Sequence, residues 1–171
     1  MARVSVVELK PVEHGDANTI FDAWGRHSEN FGYLTASVFS DVGDAQRYIA
    51  SILPTPESKA FHIVVPTEGV IGIVKATIVG HRAQIGYVVH RPFCGRGFAT
   101  AAVREVTQMV EAMPAVSRVW ATCALDNPAS ARVLEKCGFK LEAILKNWVT
   151  YPAQGGRAFD NCSYVRIPAM A

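Results

Sequence analysis

Hydrophobic and polar positions alternate along residues 3–12, and this two-residue period predicts an edge strand near the start of the chain. Apolar residues then recur at helical spacing from Ala17 to Trp24, which predicts a short first helix. Helical spacing returns after Asp41, whose side chain is suited to cap the first N–H groups of a second helix. The first third of the chain therefore predicts one strand and two helices.

Three apolar segments follow, at residues 61–66, 70–79 and 84–90. Short connections that contain glycine separate them, and such connections are typical of strands that pair antiparallel with their neighbours. These segments therefore predict a three-stranded meander.

A long helix is the most regular feature of the sequence. Its apolar stripe starts at Phe98 and stops before Pro114. Residues 116–125 predict a further strand, after which Asn127 is placed as an N-cap and Pro128 at the first position of another helix.

Gly138 suits the left-handed residue that closes this last helix, and residues 139–150 and 158–167 predict two final strands. The whole pattern predicts about seven strands with helices between them, and it contains no internal repeat or linker. A chain of 171 residues with 50% hydrophobic content can bury one core, so we expect residues 1–171 to form a single domain.

Charge and composition exclude several classes of protein. The formal net charge is +2 and there is no run of Lys or Arg, so we expect neither a nucleic-acid partner nor a membrane contact. Residues 1–16 lack the uninterrupted apolar core of a signal peptide, and no segment approaches the roughly 18 apolar residues of a membrane span. A cytoplasmic protein is the expectation.

No metal site is predicted. The four cysteines are far apart, without the short paired spacings of a zinc site, and we expect them to be reduced thiols. His62, His81 and His90 are isolated along the chain and do not form a metal-binding set.

Small residues connect the third strand of the meander to the long helix. Gly95 and Gly97 remove side chains that would keep a ligand from the backbone, and Ala99 is the next smallest choice. Because free N–H groups and the helix dipole attract anions to a helix N-terminus, residues 95–100 predict a phosphate-binding turn. A tight connection whose glycines only satisfy steric demands is the alternative. A dinucleotide-binding fingerprint would need a glycine at Thr100, and a P-loop would need Gly-Lys followed by Ser or Thr, so both are disfavoured.

Two segments resemble the signature motifs of the GNAT acetyltransferases, in particular the branch that acetylates the N-termini of ribosomal proteins. Residues 85–100 read IGYVVHRPFCGRGFAT and resemble the strand, pyrophosphate loop and helix of that family. Residues 126–139 read DNPASARVLEKCGF and resemble its second motif. The resemblance implies an α/β (α+β) fold, with a twisted, mostly antiparallel mixed sheet of about seven strands flanked by helices on both faces.

The resemblance also implies that acetyl-CoA is the co-substrate, with coenzyme A lying along the open side of the fourth strand. The pantetheine arm would pair with the backbone near Val88 and Val89, and Asn127 and Ser130 would face the arm and the thioester. An ordinary helix cap is the other role of Asn127, and both roles can hold at once. The N–H groups expected to bind the pyrophosphate belong to Gly95, Arg96, Gly97, Phe98, Ala99 and Thr100.

This sequence departs from the family pattern at positions that matter for catalysis. Cys94 stands where the loop usually opens with Gln or Arg, and a nucleophilic Cys94 is an alternative because a helix N-terminus lowers the pKa of a thiol. Leu134 replaces a Tyr acid of many members, while Gln84 and Val149 replace Glu residues proposed as bases. Ser130 matches a Ser assigned as the acid in the ribosomal branch, so we predict that Ser130 is the catalytic acid.

The general base stays open, with His62, Asp160 or a water relayed to a backbone carbonyl as candidates. Trp24, Phe31 and Tyr33 either line an acceptor cleft or belong to the core.

The predicted reaction is direct transfer of an acetyl group to a primary amine in a ternary complex, preferably to the α-amine of a peptide or protein N-terminus. A small amine is the alternative acceptor, and a CoA-binding module with weak catalysis is the alternative function. We also expect that the chain can form a homodimer.

Overall fold

One sheet of seven strands organises residues 6–169, which are the residues that the computed structural model describes. The predicted first strand begins outside this range, and its described part is shorter than the prediction. The strands are β1 (Glu8–Pro11), β2 (Lys59–Val65), β3 (Gly69–Val79), β4 (Arg82–Val89), β5 (Arg118–Ala124), β6 (Lys140–Thr150) and β7 (Ala158–Arg166). Their order is β1-β2-β3-β4-β5-β7-β6, and only the β4–β5 pair among these is parallel. The predicted mixed, mostly antiparallel sheet is therefore confirmed.

Four α-helices flank the sheet in the described chain, namely α1 (Ala17–Ile20), α2 (Val42–Ile52), α3 (Phe98–Glu111) and α4 (Pro128–Lys136). The capping predictions hold, because Asp41 accepts a hydrogen bond from the N–H of Asp44 and Asn127 accepts one from the N–H of Ser130. Gly138 has the expected left-handed conformation, with φ of 82°.

The first helix differs from its prediction. The segment is a 3-10 turn at His14–Asp16, then α1, then a π-helical stretch at Phe21–Gly25. A Cβ on Gly25 would lie 2.4 Å from the Phe39 ring, so this stretch lies closely against the connection that follows it. Apolar spacing alone does not distinguish these helical forms, since all of them bring residues three to five positions apart to one side.

The two larger of three hydrophobic clusters in residues 6–169 cover the two faces of the sheet. One lies under α3 and α4 and includes Ile63, Val103 and Leu134, while the other lies under α1 and α2 and includes Trp24 and Ile73. None of the helices in residues 6–169 has both the length and the apolar character needed to cross a membrane.

A gap opens in the sheet between β4 and β5. The two strands pair only from Arg82 to Gln84 on β4 and from Arg118 to Trp120 on β5. Beyond that point β4 keeps its pairing with β3 and β5 keeps its pairing with β7. The gap therefore widens toward the carboxyl ends of two parallel strands, which is where open α/β sheets place their ligand crevices.

Candidate active site

The turn before α3 has the backbone geometry that an anion site requires. Gly95 and Gly97 have φ of 76° and 83°, a left-handed conformation that glycine adopts at no steric cost. Gly97 is the N-cap of α3, and its carbonyl accepts the first helical hydrogen bond, from the N–H of Ala101 at 3.0 Å. The N–H groups at the start of the helix precede this bond, so they have no partner within the helix and lie at the positive end of its dipole.

The side chains of the turn support this conformation. The guanidinium of Arg96 lies 5.7 Å from the ring centre of Phe93 and 5.0 Å from that of Phe98. The thiol of Cys94 donates a hydrogen bond to the carbonyl of Val89 at 3.4 Å. Burial raises the pKa of Cys94 despite the opposing charge of Arg91. A neutral thiol that donates to the backbone does not have the character of an activated nucleophile.

The backbone of β4 faces the gap through alternate residues. The N–H of His90 donates to the carbonyl of Ile71 at 2.7 Å, and the carbonyl of Val88 lies 2.2 Å from the place where a Cβ on Gly72 would be. These two residues therefore direct their backbone groups to β3, and strand alternation directs those of Val89 to the gap. The sequence predicted that the backbone of both Val88 and Val89 would face the pantetheine arm. The Val88 backbone faces β3 instead, so only the N–H and C=O of Val89 point to the gap.

A hydroxyl pair spans the gap on the side of α3 and α4. The hydroxyls of Tyr87 on β4 and Ser130 on α4 are 2.7 Å apart, and the Tyr87 hydroxyl also donates to the Ser130 carbonyl at 3.2 Å. Ser130 is held in turn through its N–H by the Asn127 side chain at 3.3 Å. Tyr87 was not among the predicted site residues, although it lies inside the strand motif, because the sequence does not show which side chain of α4 it meets.

This pair is uncharged at neutral pH. Burial raises the pKa of Tyr87 well above its ordinary value, and the hydrogen bond to Ser130 opposes only part of that change. Burial, with a contribution from Cys162, raises the pKa of the neighbouring Cys123 thiol to about 11, while its hydrogen bond to Ser130 acts in the opposite direction. The cluster can therefore donate hydrogen bonds to a negative charge but does not carry one itself.

The candidate bases from the sequence do not present a free basic group to the gap. His62 is 5% exposed, and its Nε2 lies 3.0 Å from a carboxylate oxygen of Asp16. Asp160 accepts hydrogen bonds from Lys146 at 2.7 Å and from the N–H of Asn147 at 2.9 Å. Both contacts lower the pKa of Asp160, that of Lys146 most, and so make it a weaker base.

The three aromatic residues suggested for the acceptor cleft have different surroundings. Trp24 and Phe31 are 0% and 1% exposed and belong to the core under α1 and α2. Tyr33 is 38% exposed, and its hydroxyl donates at 3.1 Å to the carbonyl of Asp126, two residues after the end of β5. Its ring lies edge-on to Tyr151 at 5.8 Å between centres. Of these three residues, Tyr33 is therefore the exposed one, and it lies near the carboxyl end of β5 against the buried ring of Tyr151.

Comparisons with known proteins agree with this geometry. The sequence model of the acetyltransferase (GNAT) domain family matches residues 7–140. The uncharacterized N-acetyltransferase p20 of Bacillus licheniformis is 28% identical over 159 residues, covering 89% of this chain and 87% of that protein. The L-amino acid N-acetyltransferase AaaT of Escherichia coli is 30% identical over 87 residues, covering 51% of this chain and 52% of that protein.

A solved structure shares the fold over nearly the whole length of the chain. It is the spermidine N-acetyltransferase from Vibrio cholerae in complex with CoA and spermine. The match has a TM-score of 0.78 and 16% sequence identity, and it covers 95% of this chain and 95% of that chain. Because the family match covers well over half of the sequence and includes the turn and both strands that bound the gap, the chain belongs to the GNAT acetyltransferase family and is an acyltransferase.

Proposed function

We propose that this enzyme transfers the acetyl group of acetyl-CoA directly to the α-amine of a peptide or protein N-terminus. The observation that carries the proposal is the gap between β4 and β5, with a glycine turn and a helix N-terminus at its open end and an uncharged hydroxyl pair beside it. One end suits a pyrophosphate, and the hydroxyl pair suits a leaving thiolate.

Coenzyme A fits the chain as follows. The N–H groups of residues 95–100 bind the pyrophosphate, and the pantetheine arm lies in the gap as an additional strand. An N–H group of the arm donates to the carbonyl of Val89, which also accepts from the Cys94 thiol through its other lone pair, while Val88 contributes packing beside it. Asn127 and Ser130 face the arm from α4. Support for this placement comes from the left-handed glycines and from the unpaired edge of β4.

The chemistry then requires few protein groups. The neutral amine attacks the thioester carbonyl carbon, and the oxyanion of the tetrahedral intermediate accepts a hydrogen bond from the N–H of Val89. A preorganised donor of this kind is typically worth about 3 kcal/mol. Collapse breaks the C–S bond, Ser130 donates a hydrogen bond or proton to the departing thiolate with Tyr87 behind it, and the amine loses its extra proton to water.

The acceptor preference rests on the proton balance of the amine. At pH 7.4 an α-amine of pKa about 7.8 is roughly a quarter neutral, whereas a lysine amine of pKa about 10.4 is about one part in a thousand neutral. The candidate bases of this chain are buried or ion-paired, so an acceptor amine that is already partly deprotonated at neutral pH is favoured. The name of AaaT gives L-amino acids as its acceptors, and these also carry α-amines.

Release of CoA thiol with two peptides tests the preference. One peptide has a free N-terminus and no lysine, and the matched peptide has an acetylated N-terminus and one lysine. We expect about 250-fold faster turnover of the first, which is the ratio of the two neutral fractions. Faster turnover of the lysine peptide would contradict the proposal.

A small amine is the second candidate acceptor, favoured by the similarity in fold to the spermidine enzyme. Spermidine therefore belongs in the same assay, and a higher kcat/KM for spermidine than for the free-N-terminus peptide would favour it. Calorimetric CoA binding without thiol release for any amine would instead identify a CoA-binding module.

A homodimer through β6 is part of the proposal. Strand β6 is at the edge of the sheet, and Leu141 and Ile144 are 53% and 47% exposed on the face they share with Tyr164 and Cys162 of β7. A free strand edge beside exposed apolar side chains is suited to pair with a second copy. Light scattering of Ile144→Asp should then give a monomer mass where the wild type gives a dimer, and a monomeric wild type would refute it.

A further inference from the structure

Three potential metal ligands from two distant parts of the chain converge beside the end of β4. One ligand atom from each of His27, Glu29 and His90 lies within 4.8 Å of the other two. His27 is the N-cap of the 3-10 turn Ser28–Asn30, and Glu29 lies within that turn. His90 directly follows β4. The sequence could not reveal this cluster, because about sixty residues separate its two parts.

Asn30 holds the His90 ring in position. Its Nδ2 donates to the carbonyl of Trp24 at 2.8 Å, and its Oδ1 accepts from the N–H of Arg91 at 2.9 Å, so backbone groups fix the amide at both ends. The same amide contacts Nδ1 of His90 at 3.1 Å and 3.2 Å, which leaves Nε2 available as the ligand atom. Most metal-ligating histidines are oriented in this way, by a hydrogen bond at the nitrogen that does not bind the metal.

The remaining two ligands have room to adjust. The His27 and His90 rings are 4.5 Å apart between centres, and Nδ1 of His27 lies 3.9 Å from a carboxylate oxygen of Glu29. The side chains of His27 and Glu29 are 32% and 47% exposed. Ligand atoms of a tetrahedral zinc site with bonds of about 2.0 Å lie about 3.3 Å apart. Ligand atoms that lie within 4.8 Å of one another therefore need to approach by at most about 1.5 Å, which the exposed side chains can supply by rotation.

We propose that His27, Glu29 and His90 bind one divalent first-row transition ion, in a site separate from the Tyr87–Ser130 pair. Two imidazoles and one carboxylate are ligands that Zn²⁺ and Co²⁺ accept, with water in the remaining position. Since Asn30 also holds the N–H of Arg91, the ion would cross-link the connection between α1 and α2 to the segment that leads into the phosphate turn.

Titration of the purified full chain with Zn²⁺ by calorimetry, and with Co²⁺ by visible absorption, tests the site. We expect one ion per chain and Co²⁺ bands typical of a nitrogen and oxygen environment. His27→Gln and Glu29→Gln should each weaken binding by about 100-fold, because loss of a ligand costs at least as much as loss of its hydrogen-bonding partner. Neither residue lies in the buried core, so both variants should stay folded.

Two control variants separate this site from other ligands. His81→Gln removes an exposed histidine outside the cluster, and Cys94→Ser removes the exposed thiol. Both should bind Zn²⁺ within about 2-fold of the wild type. Saturable binding that survives in His27→Gln and Glu29→Gln, binding lost only in Cys94→Ser, or no stoichiometric binding in the wild type would each overturn the proposal.

Discussion

At the scale of single residues, the hydroxyl pair of Tyr87 and Ser130 is the feature with the clearest chemical use. The two hydroxyl oxygens are 2.7 Å apart, and their hydrogen bond connects β4 to α4 across the gap in which we place the cofactor. Family members that carry a Tyr at the position of Leu134 obtain a hydroxyl from α4 itself, and here that position is fully buried. In this chain the phenol comes from β4 and reaches the gap through Ser130.

Ser130→Ala tests the role of the serine hydroxyl. A thiol leaving group has a pKa near 8.5, so the thiolate is a stable leaving group in water at neutral pH. Protonation by a general acid therefore adds little to the rate. We expect turnover to fall by at most about 100-fold, with the CoA affinity from calorimetry nearly unchanged. A loss of many thousandfold would mean that the serine has a different and larger role.

Tyr87→Phe keeps the packed ring and removes only the hydroxyl that contacts Ser130. If the phenol acts through the serine, kcat should fall by about 3-fold to 10-fold, and the double variant with Ser130→Ala should be no slower than Ser130→Ala alone. Steady-state rates of the four proteins measure this coupling. Effects that multiply in the double variant would show that the two hydroxyls act independently.

At the scale of elements, the start of α3 is the place where we propose that the pyrophosphate of coenzyme A binds. Gly97 has a left-handed φ, so a large side chain at this position would strain the backbone as well as block a phosphate. A useful test must separate these two effects.

Gly97→Asp and Gly97→Asn form a matched pair for that purpose. Both side chains tolerate the left-handed region better than most residues and have nearly the same shape, but only Asp is charged. A carboxylate about 5 Å from a phosphate charge costs about 3 kcal/mol at an effective dielectric constant of about 20. We therefore expect Asp to weaken CoA binding about 100-fold relative to Asn in calorimetry. Equal affinities in two variants of equal melting temperature would contradict the phosphate-turn assignment.

At the scale of the whole molecule, a contact between Asp16 and His62 ties the first helical segment to the sheet. Burial raises the pKa of Asp16, but hydrogen bonds from the Glu13 N–H and from His62 lower it by more, so the pKa in the folded protein is below the ordinary value of 3.8. A carboxyl group with a depressed folded pKa stabilises the fold above its unfolded pKa, and this contribution is lost as the pH falls through the folded pKa.

Asp16→Asn should accordingly lower the free energy of unfolding at pH 7 by about 1 to 3 kcal/mol. The difference from wild type should shrink once the pH falls below 3.8, where the wild-type carboxyl is protonated in the unfolded chain. Urea unfolding at a series of pH values from about 2 to about 7 measures this difference. The control is Asp22→Asn, whose side chain is 67% exposed and whose ion pair with Arg26 should contribute almost nothing. A constant difference at every pH would exclude the proposed linkage.

The sequence by itself determined most of the fold and one part of the site. Local patterns predict the meander and the apolar stripe of α3, since both depend on the hydrophobic period. They also predict the caps at Asp41 and Asn127, whose side chains bind N–H groups of their own helices. The turn at Gly95 and Gly97 was predictable for the same reason, because a left-handed conformation next to a helix start demands glycine.

Only the tertiary structure decided which side chains meet across elements. The Tyr87–Ser130 pair joins residues 43 positions apart, and the pairing of His62 with Asp16 removes a candidate base that looked free in the sequence. Likewise the direction of the Val88 backbone depends on its register with β3, which no local pattern encodes. Long-range contacts of this kind follow from how the strands align and which helix face packs down, so they become determined only when the whole chain has folded.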